Sequence, residues 1–330
     1  MQFSFAPDPG RGTLIDHRVR HGAAASLSVL RDAIAEQLPE FRDPMQQWIA
    51  NLGVGPVRPG VFAVYSDLVE AIAAEDEPAC LSALEAIGRF SPRTSATLRG
   101  ATLVDEDLGE GMAERFARHL DDDPSIPVRF VPVSEEELVI AKQRLAQAAA
   151  LLDHAAPALA GEIRRLIRDV VFLASEAAPD EFTFHGASTF YLWGALFLNA
   201  KVHPDRVSMA EAITHEAAHS LLLGSTFGAP LVENDDSERF ASPLREDLRP
   251  MDGIVHATYV LARMHYCIER LLASDALSPE ERAALETTKL RRRAEYKAGL
   301  EVVAAHARFT PTGRALFEGA QRYMSEACAS

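Results

Sequence analysis

The sequence predicts a mainly α-helical fold of the α+β class, with a small β-sheet beside a helix that carries an H-E-x-x-H motif. Apolar residues recur at three- and four-residue steps over most of the 330 positions, which is the period of amphipathic helices. One stretch, 181–200, is instead rich in aromatic and β-branched residues separated by glycines, which is typical of short strands. Together these observations predict long helices packed with one small sheet.

The first third of the chain has a helical pattern. Apolar residues at helical spacing cover 26–38 and 64–90. The pattern breaks at 121–133, an acidic, proline-bearing stretch that contains the short strand-like run VRFVPV. We therefore predict an N-terminal helical region over 1–130 and a catalytic metal-binding region over 131–330, or one continuous domain in which the two merge.

Helix signals return after this stretch. Ser134 and Glu137 form an S-x-x-E capping box, which predicts the start of a long helix that runs toward His154. A second helix is predicted over 158–177, because its apolar residues keep the helical period. Two short strands are predicted within 181–200.

The H-E-x-x-H helix has its own start and stop signals. Ser208 and Glu211 form a second capping box, which predicts a helix start just before His215. Gly224 suits a left-handed residue at the end of this helix. The remaining predicted elements are a polar loop over 233–250 and two long helices, over 253–273 and from Ser278 onward.

Composition and charge exclude several classes of protein. A formal net charge of −15 argues against a nucleic-acid partner, because phosphate binding requires a surplus of lysine and arginine. The three cysteines are far apart, so neither a disulfide framework nor a cysteine metal site is predicted. The start has no signal-peptide pattern and no apolar run is long enough for a membrane span, so we expect a cytoplasmic protein without a membrane partner.

The motif predicts a metal site. His215 and His219 are four residues apart on a helix, so both imidazoles lie on one face and can bind one cation. Glu216 is next to the first histidine, within reach of the metal or of its water. A third ligand is needed, and the sequence offers two: Glu238, at the spacing of a zinc peptidase, and His256, in the first turn of the next helix.

Two arginines, Arg245 and Arg249, lie between the motif and His256. A guanidinium group binds a carboxylate through two parallel hydrogen bonds. A peptidase could use this grip on a substrate terminus, whereas an iron oxygenase would use it on the distal carboxylate of 2-oxoglutarate. Three protein ligands with open positions suit the oxygen chemistry of such an enzyme.

Two segments, AITHEAAHSLLLG (212–224) and SPLREDLRPMDGIVHATYVLARM (242–264), together resemble the HExxH-type peptide-modification proteins. These are the 2-oxoglutarate-dependent HExxH peptide β-hydroxylases associated with ribosomally made peptides. The resemblance runs from about residue 180 to about residue 270, and FTPTGRAL (309–316) is also similar. Leu244 is a departure, since the family has an aromatic residue after its Ser-Pro pair.

The resemblance implies a non-haem Fe(II) enzyme that consumes O2 and 2-oxoglutarate and hydroxylates a side-chain β-carbon of a peptide, with a leader-bearing precursor as the substrate. His215 and His219 would be iron ligands, and His256 would be the third. Arg245 or Arg249 would bind 2-oxoglutarate. Glu216 would be a ligand, an orienter of bound water or a proton acceptor.

Two other classes of function fit the same residues. A zinc-dependent metallopeptidase would use His215, His219 and Glu238 as ligands and Glu216 to activate water. A binding or scaffold protein with a decayed motif would hold no metal. The zinc peptidase is distinguished from the oxygenase by which side chain, Glu238 or His256, points at the metal.

Overall fold

The computed structural model describes residues 4–120, 129–131, 133–176, 184–242 and 247–329. The described residues are 68% helical and 9% strand and contain a small mixed sheet of five strands, which confirms the predicted fold class. Within the same residues, no helix is both long and apolar enough to cross a membrane.

The chain forms two compact units, each assembled from separate stretches of sequence. The histidine unit, named for His215 and its neighbours, comprises Met1–Pro9, Arg144–Ile163 and Pro204–Ser330. The sheet unit comprises Gly10–Gln143 and Arg164–His203. The boundary predicted near residue 130 thus lies inside the sheet unit.

Helices and strands follow one another in an uneven order, with most strands in the middle of the chain. The helices are α1 Pro9–Ile34, α2 Arg42–Val54, α3 Gly60–Ala73, α4 Glu77–Arg89, α5 Asp105–Leu108, α6 Met112–Leu120, α7 Glu135–Ala155, α8 Pro157–Leu166, α9 Arg206–Thr226, α10 Met251–Ala273, α11 Pro279–His306 and α12 Pro311–Ala329. The strands are β1 Arg99–Thr102, β2 Arg129–Val131, β3 Asp169–Glu176, β4 Gly186–Ala187 and β5 Ala195–Asn199.

The sheet is centred on β3. Its first half pairs in parallel with β1 and β5, and its last residues pair antiparallel with β2. Strand β4 pairs antiparallel with β5 and closes the order β1-β3-β5-β4. The apolar runs 170–174 and 195–198 are buried throughout, as expected for parallel strands covered on both faces.

Strand β3 corrects one sequence prediction. The helix predicted over 158–177 ends at Leu166, and the next residues form β3. Because the run 170–174 is continuously apolar, its sequence fits a buried helix and a buried strand equally well. Its β-branched valines and the two parallel partner strands favour the extended form. The predicted strands near 129–131 and within 184–200 are confirmed, and residues 181–183 lie outside the described residues.

The helix caps confirm some predictions and correct others. Ser134 and Glu137 form the predicted capping box of α7 through reciprocal hydrogen bonds. For α9 the predicted box is wrong, because Asp205 is the N-cap and Ser208 is its partner. The predicted stop at Gly224 is also wrong, since α9 continues to Thr226 and ends at left-handed Phe227, with φ 56°. Gly224, Ser225 and Thr226 thus keep the α-helical hydrogen-bonding pattern before the chain turns.

Helices α9 and α10 pack closely because small residues meet larger ones at their contact. Ala218 of α9 is buried against Val260 and Met264 of α10. A short side chain at this position lets the two backbones approach, since helix separation depends on the residues at the contact. The packing brings the motif face of α9 toward the first turns of α10.

Candidate metal centre

The three predicted histidine ligands lie together in the histidine unit. The Nε2 atoms of His215 and His219 are 3.2 Å apart, and the Nδ1 atoms of His219 and His256 are 3.3 Å apart. The rings of His219 and His256 are nearly parallel, with centroids 5.6 Å apart. Two successive turns of α9 and the second turn of α10 therefore supply one continuous row of imidazoles.

Two side chains of α10 orient the outer histidines. The Nδ1 atom of His215 is 3.3 Å from the sulfur of Met264. The Nε2 atom of His256 is 3.5 Å from a carboxylate oxygen of Asp252, one turn earlier on the same helix. The other carboxylate oxygen of Asp252 accepts a hydrogen bond from the backbone N–H of Leu231 at 2.6 Å. Such outer partners fix the tautomer and the direction of a histidine ring.

The protonation states suit a metal ion. Burial, with a smaller contribution from His256, lowers the pKa of His219 to about 3. Burial lowers the pKa of His256 to about 4. Both rings are therefore neutral near pH 7, and the neutral imidazole is the form that binds a metal.

The spacing of the nitrogens fits a pair of ligands on one ion. Two nitrogens bound to a tetrahedral ion at about 2.0–2.1 Å are about 3.3 Å apart, close to the 3.2 Å between His215 and His219. His256 faces the opposite nitrogen of His219, so a ring must turn before one ion can bind all three. Rotation about the bond between Cβ and the ring moves the ring nitrogens, and in His256 it would also break the 3.5 Å contact between Nε2 and Asp252.

Glu216 is buried beside this pair. Its side chain is 6% exposed, and its Oε1 atom lies 3.9 Å from Nε2 of His215. That is the nitrogen which faces His219, so the carboxylate sits next to the position that an ion between the two rings would occupy. The residue can thus serve as a further ligand, as an orienter of a bound water or as a proton acceptor.

Glu238 is bound elsewhere. Its carboxylate accepts hydrogen bonds from Arg308 and from the backbone N–H of Asp235. The bond from Arg308 and the local backbone lower the pKa of Glu238. The geometry therefore favours His256 over Glu238 as the third member of the histidine group.

Of the two predicted arginines, Arg249 lies within the described residues. Arg249 exchanges two backbone hydrogen bonds with Phe240, each 2.9 Å long, and these fix its position just before α10. Its Nη1 atom lies 3.5 Å from a carboxylate oxygen of Asp247, and its side chain is 25% exposed. Arg245 lies outside the described residues.

Sequence reasoning missed a second cluster, in the sheet unit. Asp67, Glu70 and His119 each offer a donor atom within 4.8 Å of the others, the only such group of three among the described residues. Arg115 and Arg118 also bind the Asp67 carboxylate. Burial would raise the pKa of Asp67, but hydrogen bonds from His119 and Arg115 and the two arginine charges lower it overall. Because two guanidinium groups already neutralise this carboxylate, the cluster is better explained as an ion-pair network than as a cation site.

Comparison of the chain with protein-family models and with curated proteins finds no match. The basis for proposing a function is the histidine group together with the motif resemblance.

Proposed function

We propose that this chain is a non-haem Fe(II)- and 2-oxoglutarate-dependent oxygenase that hydroxylates a side-chain β-carbon of a peptide. The observation that carries the proposal is that His219 contacts both His215 and His256, the latter a residue 37 positions further along the chain. The donor set consists of three imidazoles with a carboxylate beside one of them, which suits Fe(II) and leaves positions for other ligands. Zinc accepts the same donors, so the donor set alone does not select the metal.

Each residue of the group has a proposed role. His215, His219 and His256 would hold the ion after a ring turns, and Met264 and Asp252 contact the His215 and His256 rings. Bound Fe(II) would let O2 convert 2-oxoglutarate to succinate and CO2 while a C–H bond of the peptide becomes C–OH. Glu216 would accept or return a proton at the edge of the site.

The distal carboxylate of 2-oxoglutarate requires a cation, because a carboxylate buried without a partner is costly. Arg249 is held by its backbone pairing with Phe240 immediately before α10. It would exchange the 3.5 Å contact with Asp247 for a bidentate grip on the cosubstrate. Arg245 is the second candidate.

The peptide substrate is proposed to be a ribosomally made precursor with a leader segment. The net charge of −15 favours a basic leader over an acidic one, since opposite charges steer association. The leader would bind outside the metal centre, and its modified residue would enter the centre.

A zinc-dependent peptidase is the second candidate. The buried Glu216 favours it, because its carboxylate lies 3.9 Å from a histidine nitrogen and could take a proton from an attacking water. The binding of Glu238 by Arg308 weighs against the glutamate-ligand form of this site.

Succinate formation separates the two candidates. The assay supplies Fe(II), O2, 2-oxoglutarate and candidate precursor peptides to the wild type and to Arg249→Lys and Arg245→Lys. One of these variants should lose at least about tenfold in kcat/KM for 2-oxoglutarate, because an ammonium cannot form two parallel hydrogen bonds. Arg239→Lys is the matched control, since Arg239 lies in the same loop and bonds to nearby backbone oxygens.

Two results would reject the oxygenase. The first is peptide cleavage with zinc in the absence of 2-oxoglutarate. The second is a wild-type response in both Arg249→Lys and Arg245→Lys.

A further inference from the structure

The sheet unit contains a cavity of about 300 Å³ that is rich in arginine. It lies between α4, the residues that follow α4 and the turn before α6, and it is independent of the histidine group. Arg58, Arg89 and Arg115 line it, together with Glu85, Glu110 and Ser82. Three arginines against two glutamates leave a positive surplus. This volume is at the lower end of the range for small-molecule sites.

Arg58 is the fixed cation of this cavity. Its Nη2 atom donates to the backbone carbonyls of Leu108 at 2.5 Å and Asp107 at 3.4 Å. The guanidinium carbon lies 4.7 Å from the centre of the Phe90 ring. These contacts hold the plane of the guanidinium group without neutralising its charge. A guanidinium has five N–H donors, so donors remain for a ligand.

The charge of Arg58 has no carboxylate within salt-bridge distance in the part of the chain that the structure describes. Asp169 is the acid whose charge reaches it, and Asp169 is bound by both nitrogens of the Arg99 fork, at 2.9 and 3.0 Å. Burial and the charge of Arg99 both lower the pKa of Arg58. An anion in the cavity would compensate this charge, and Arg115 lines the same cavity.

Arg115 also lines the cavity, and polar contacts fix its guanidinium group. One nitrogen of its guanidinium binds Asp67, and the other donates to the backbone carbonyl and hydroxyl of Ser82 at 3.3 and 3.2 Å. Asp67 is shared with Arg118 and His119, so it neutralises Arg115 only in part. The Asp67 cluster, which has no other role in the proposed reaction, thus positions an arginine at the cavity.

The glutamates that line the cavity do not cancel this charge. Glu85 pairs with Arg89 one turn later on α4, and both side chains are more than half exposed. That pair neutralises itself at the rim. What remains is Arg58 and Arg115 against Glu110.

We propose that this cavity binds a small molecule through an oxyanion group, a carboxylate or a phosphate, held between Arg58 and Arg115. Arginine is the side chain best suited to either group, because its planar fork matches two oxygens at once. The site would be separate from any 2-oxoglutarate bound at the metal centre. The proposal does not depend on the oxygenase activity.

Calorimetric titration of the purified, metal-free full chain with inorganic phosphate and with succinate tests this, at constant ionic strength. Saturable binding of either anion is expected, and the anion that binds identifies the source of the oxyanion. Arg58→Gln should weaken binding at least tenfold, and Arg58→Lys should weaken it less, because the charge remains but the fork is lost. Arg31→Gln is the matched control, since Arg31 is in the same unit, pairs with Asp32 and does not line the cavity.

Weaker binding by Arg58→Gln, with wild-type binding by Arg31→Gln, places the anion at this cavity rather than at the histidine group. Circular dichroism and melting of Arg58→Gln check that it folds, and Arg58→Lys carries the test if it does not. The proposal is overturned if neither anion binds. It is also overturned if Arg58→Gln, or Arg58→Lys where the glutamine variant does not fold, binds as tightly as Arg31→Gln, which would indicate an adventitious ion only.

Discussion

His219 stands between two other histidines, and a neutral imidazole has only one lone pair to offer them. The carboxylate of Asp252 favours a proton on Nε2 of His256, which leaves Nδ1 of that ring as an acceptor for Nδ1–H of His219. The Nε2 lone pair of His219 then faces Nε2 of His215 across 3.2 Å. Met264, a weak acceptor, lies beside Nδ1 of His215, and the carboxylate of Glu216 lies 3.9 Å from Nε2 of the same ring. A cation between the two Nε2 atoms would bind the lone pair of His219, and that carboxylate would balance its charge.

This arrangement predicts the effect of changing Asp252. Asp252→Asn keeps an oxygen for the N–H of Leu231 but removes the charge beside His256. Metal affinity should fall by about 10- to 100-fold, as is usual when the partner of a histidine ligand is changed. Competition with a chromophoric chelator measures the affinity.

Asp275→Asn is the control for this prediction, since Asp275 forms a comparable pair with His154 at 2.8 Å on the exposed surface. Equal affinities in the two variants would show that Asp252 does not orient a ligand.

Among the helices, α10, α11 and α12 are joined by a chain of polar groups centred on the buried His265. Arg293 of α11 donates to Nε2 of His265 at 2.9 Å, so Nδ1–H of His265 donates to the hydroxyl of Tyr323 on α12, also at 2.9 Å. The Tyr323 hydroxyl in turn reaches Glu269 at 3.4 Å. Burial and the charges of Arg293 and Lys289, opposed by Glu269, lower the pKa of His265 to about 4.

A buried neutral histidine makes stability depend on pH. Its contribution is intact above the unfolded pKa of 6.5, and it is lost as the pH falls from 6.5 toward 4, because the unfolded chain gains the proton first. Between pH 7 and pH 5 the wild type should lose about 2 kcal/mol of unfolding free energy that His265→Gln does not lose. Urea unfolding at both pH values measures this difference.

Leu290→Gln serves as the control here, because Leu290 is exposed on α11 and carries no proton-binding group. The same pH dependence in wild type and His265→Gln would contradict the assignment.

The start of α12 depends on a glycine. A Cβ added at Gly313 would overlap the backbone carbonyl of Leu231, whereas one added at Gly253 in α10 would meet nothing within 4 Å. Gly313→Ala should therefore destabilise the protein by about 1–3 kcal/mol. Gly253→Ala should be neutral or stabilise it by up to about 1 kcal/mol. Thermal melting compares the two, and equal melting temperatures would show that α12 does not approach the 231 loop so closely.

Local signals predicted part of this architecture well. The capping box at Ser134 and the start of α11 at Ser278 are set by side chains three residues apart, which the sequence displays directly. Strand β3 was missed because its stability comes from two partner strands that are distant in sequence. Asp205 was overlooked as a cap because Ser208 also fits the pattern, and only the backbone geometry separates them.

The candidate site could be predicted to the extent that it follows from one helix and one motif. His215 and His219 are fixed by their helical spacing, and the proximity of His256 followed from the resemblance. Met264 could not be foreseen, since a methionine at helical spacing normally indicates only core packing. The ion-pair network of Asp67 gave no signal, because His119 comes from a different helix.

Phe5 and Asp8, from the first described segment, contact distant residues of the histidine unit. Arg263 of α10 and Glu162 of α8 form a buried ion pair. Arg263 also donates to the carbonyl of Phe5 at 2.9 Å, and Glu162 accepts from the N–H of Asp8 at 3.0 Å. The Phe5 ring stacks on Tyr323, with centroids 4.7 Å apart. The ion pair of Arg263 and Glu162 thus connects parts of the chain that are more than 250 positions apart in sequence.

Removing one partner of this ion pair should be severe. Glu162→Ala leaves Arg263 buried without its counter-charge, which costs about 3–5 kcal/mol. Glu85→Ala, which removes the partner of an exposed arginine, should cost less than about 0.5 kcal/mol. Denaturant unfolding measures both, and a small effect of Glu162→Ala would mean that water reaches Arg263.

His215, His219 and His256 are proposed to hold one metal ion. Elemental analysis after dialysis against a trace of Fe(II) or zinc tests this on the wild type and on the three single alanine variants. One ion per chain is expected in the wild type and in the control His154→Ala, and less than about a tenth of an ion in each of the three variants. Stoichiometric metal in His215→Ala or His219→Ala would contradict the site itself, and stoichiometric metal in His256→Ala alone would reduce His256 to an outer partner of His219.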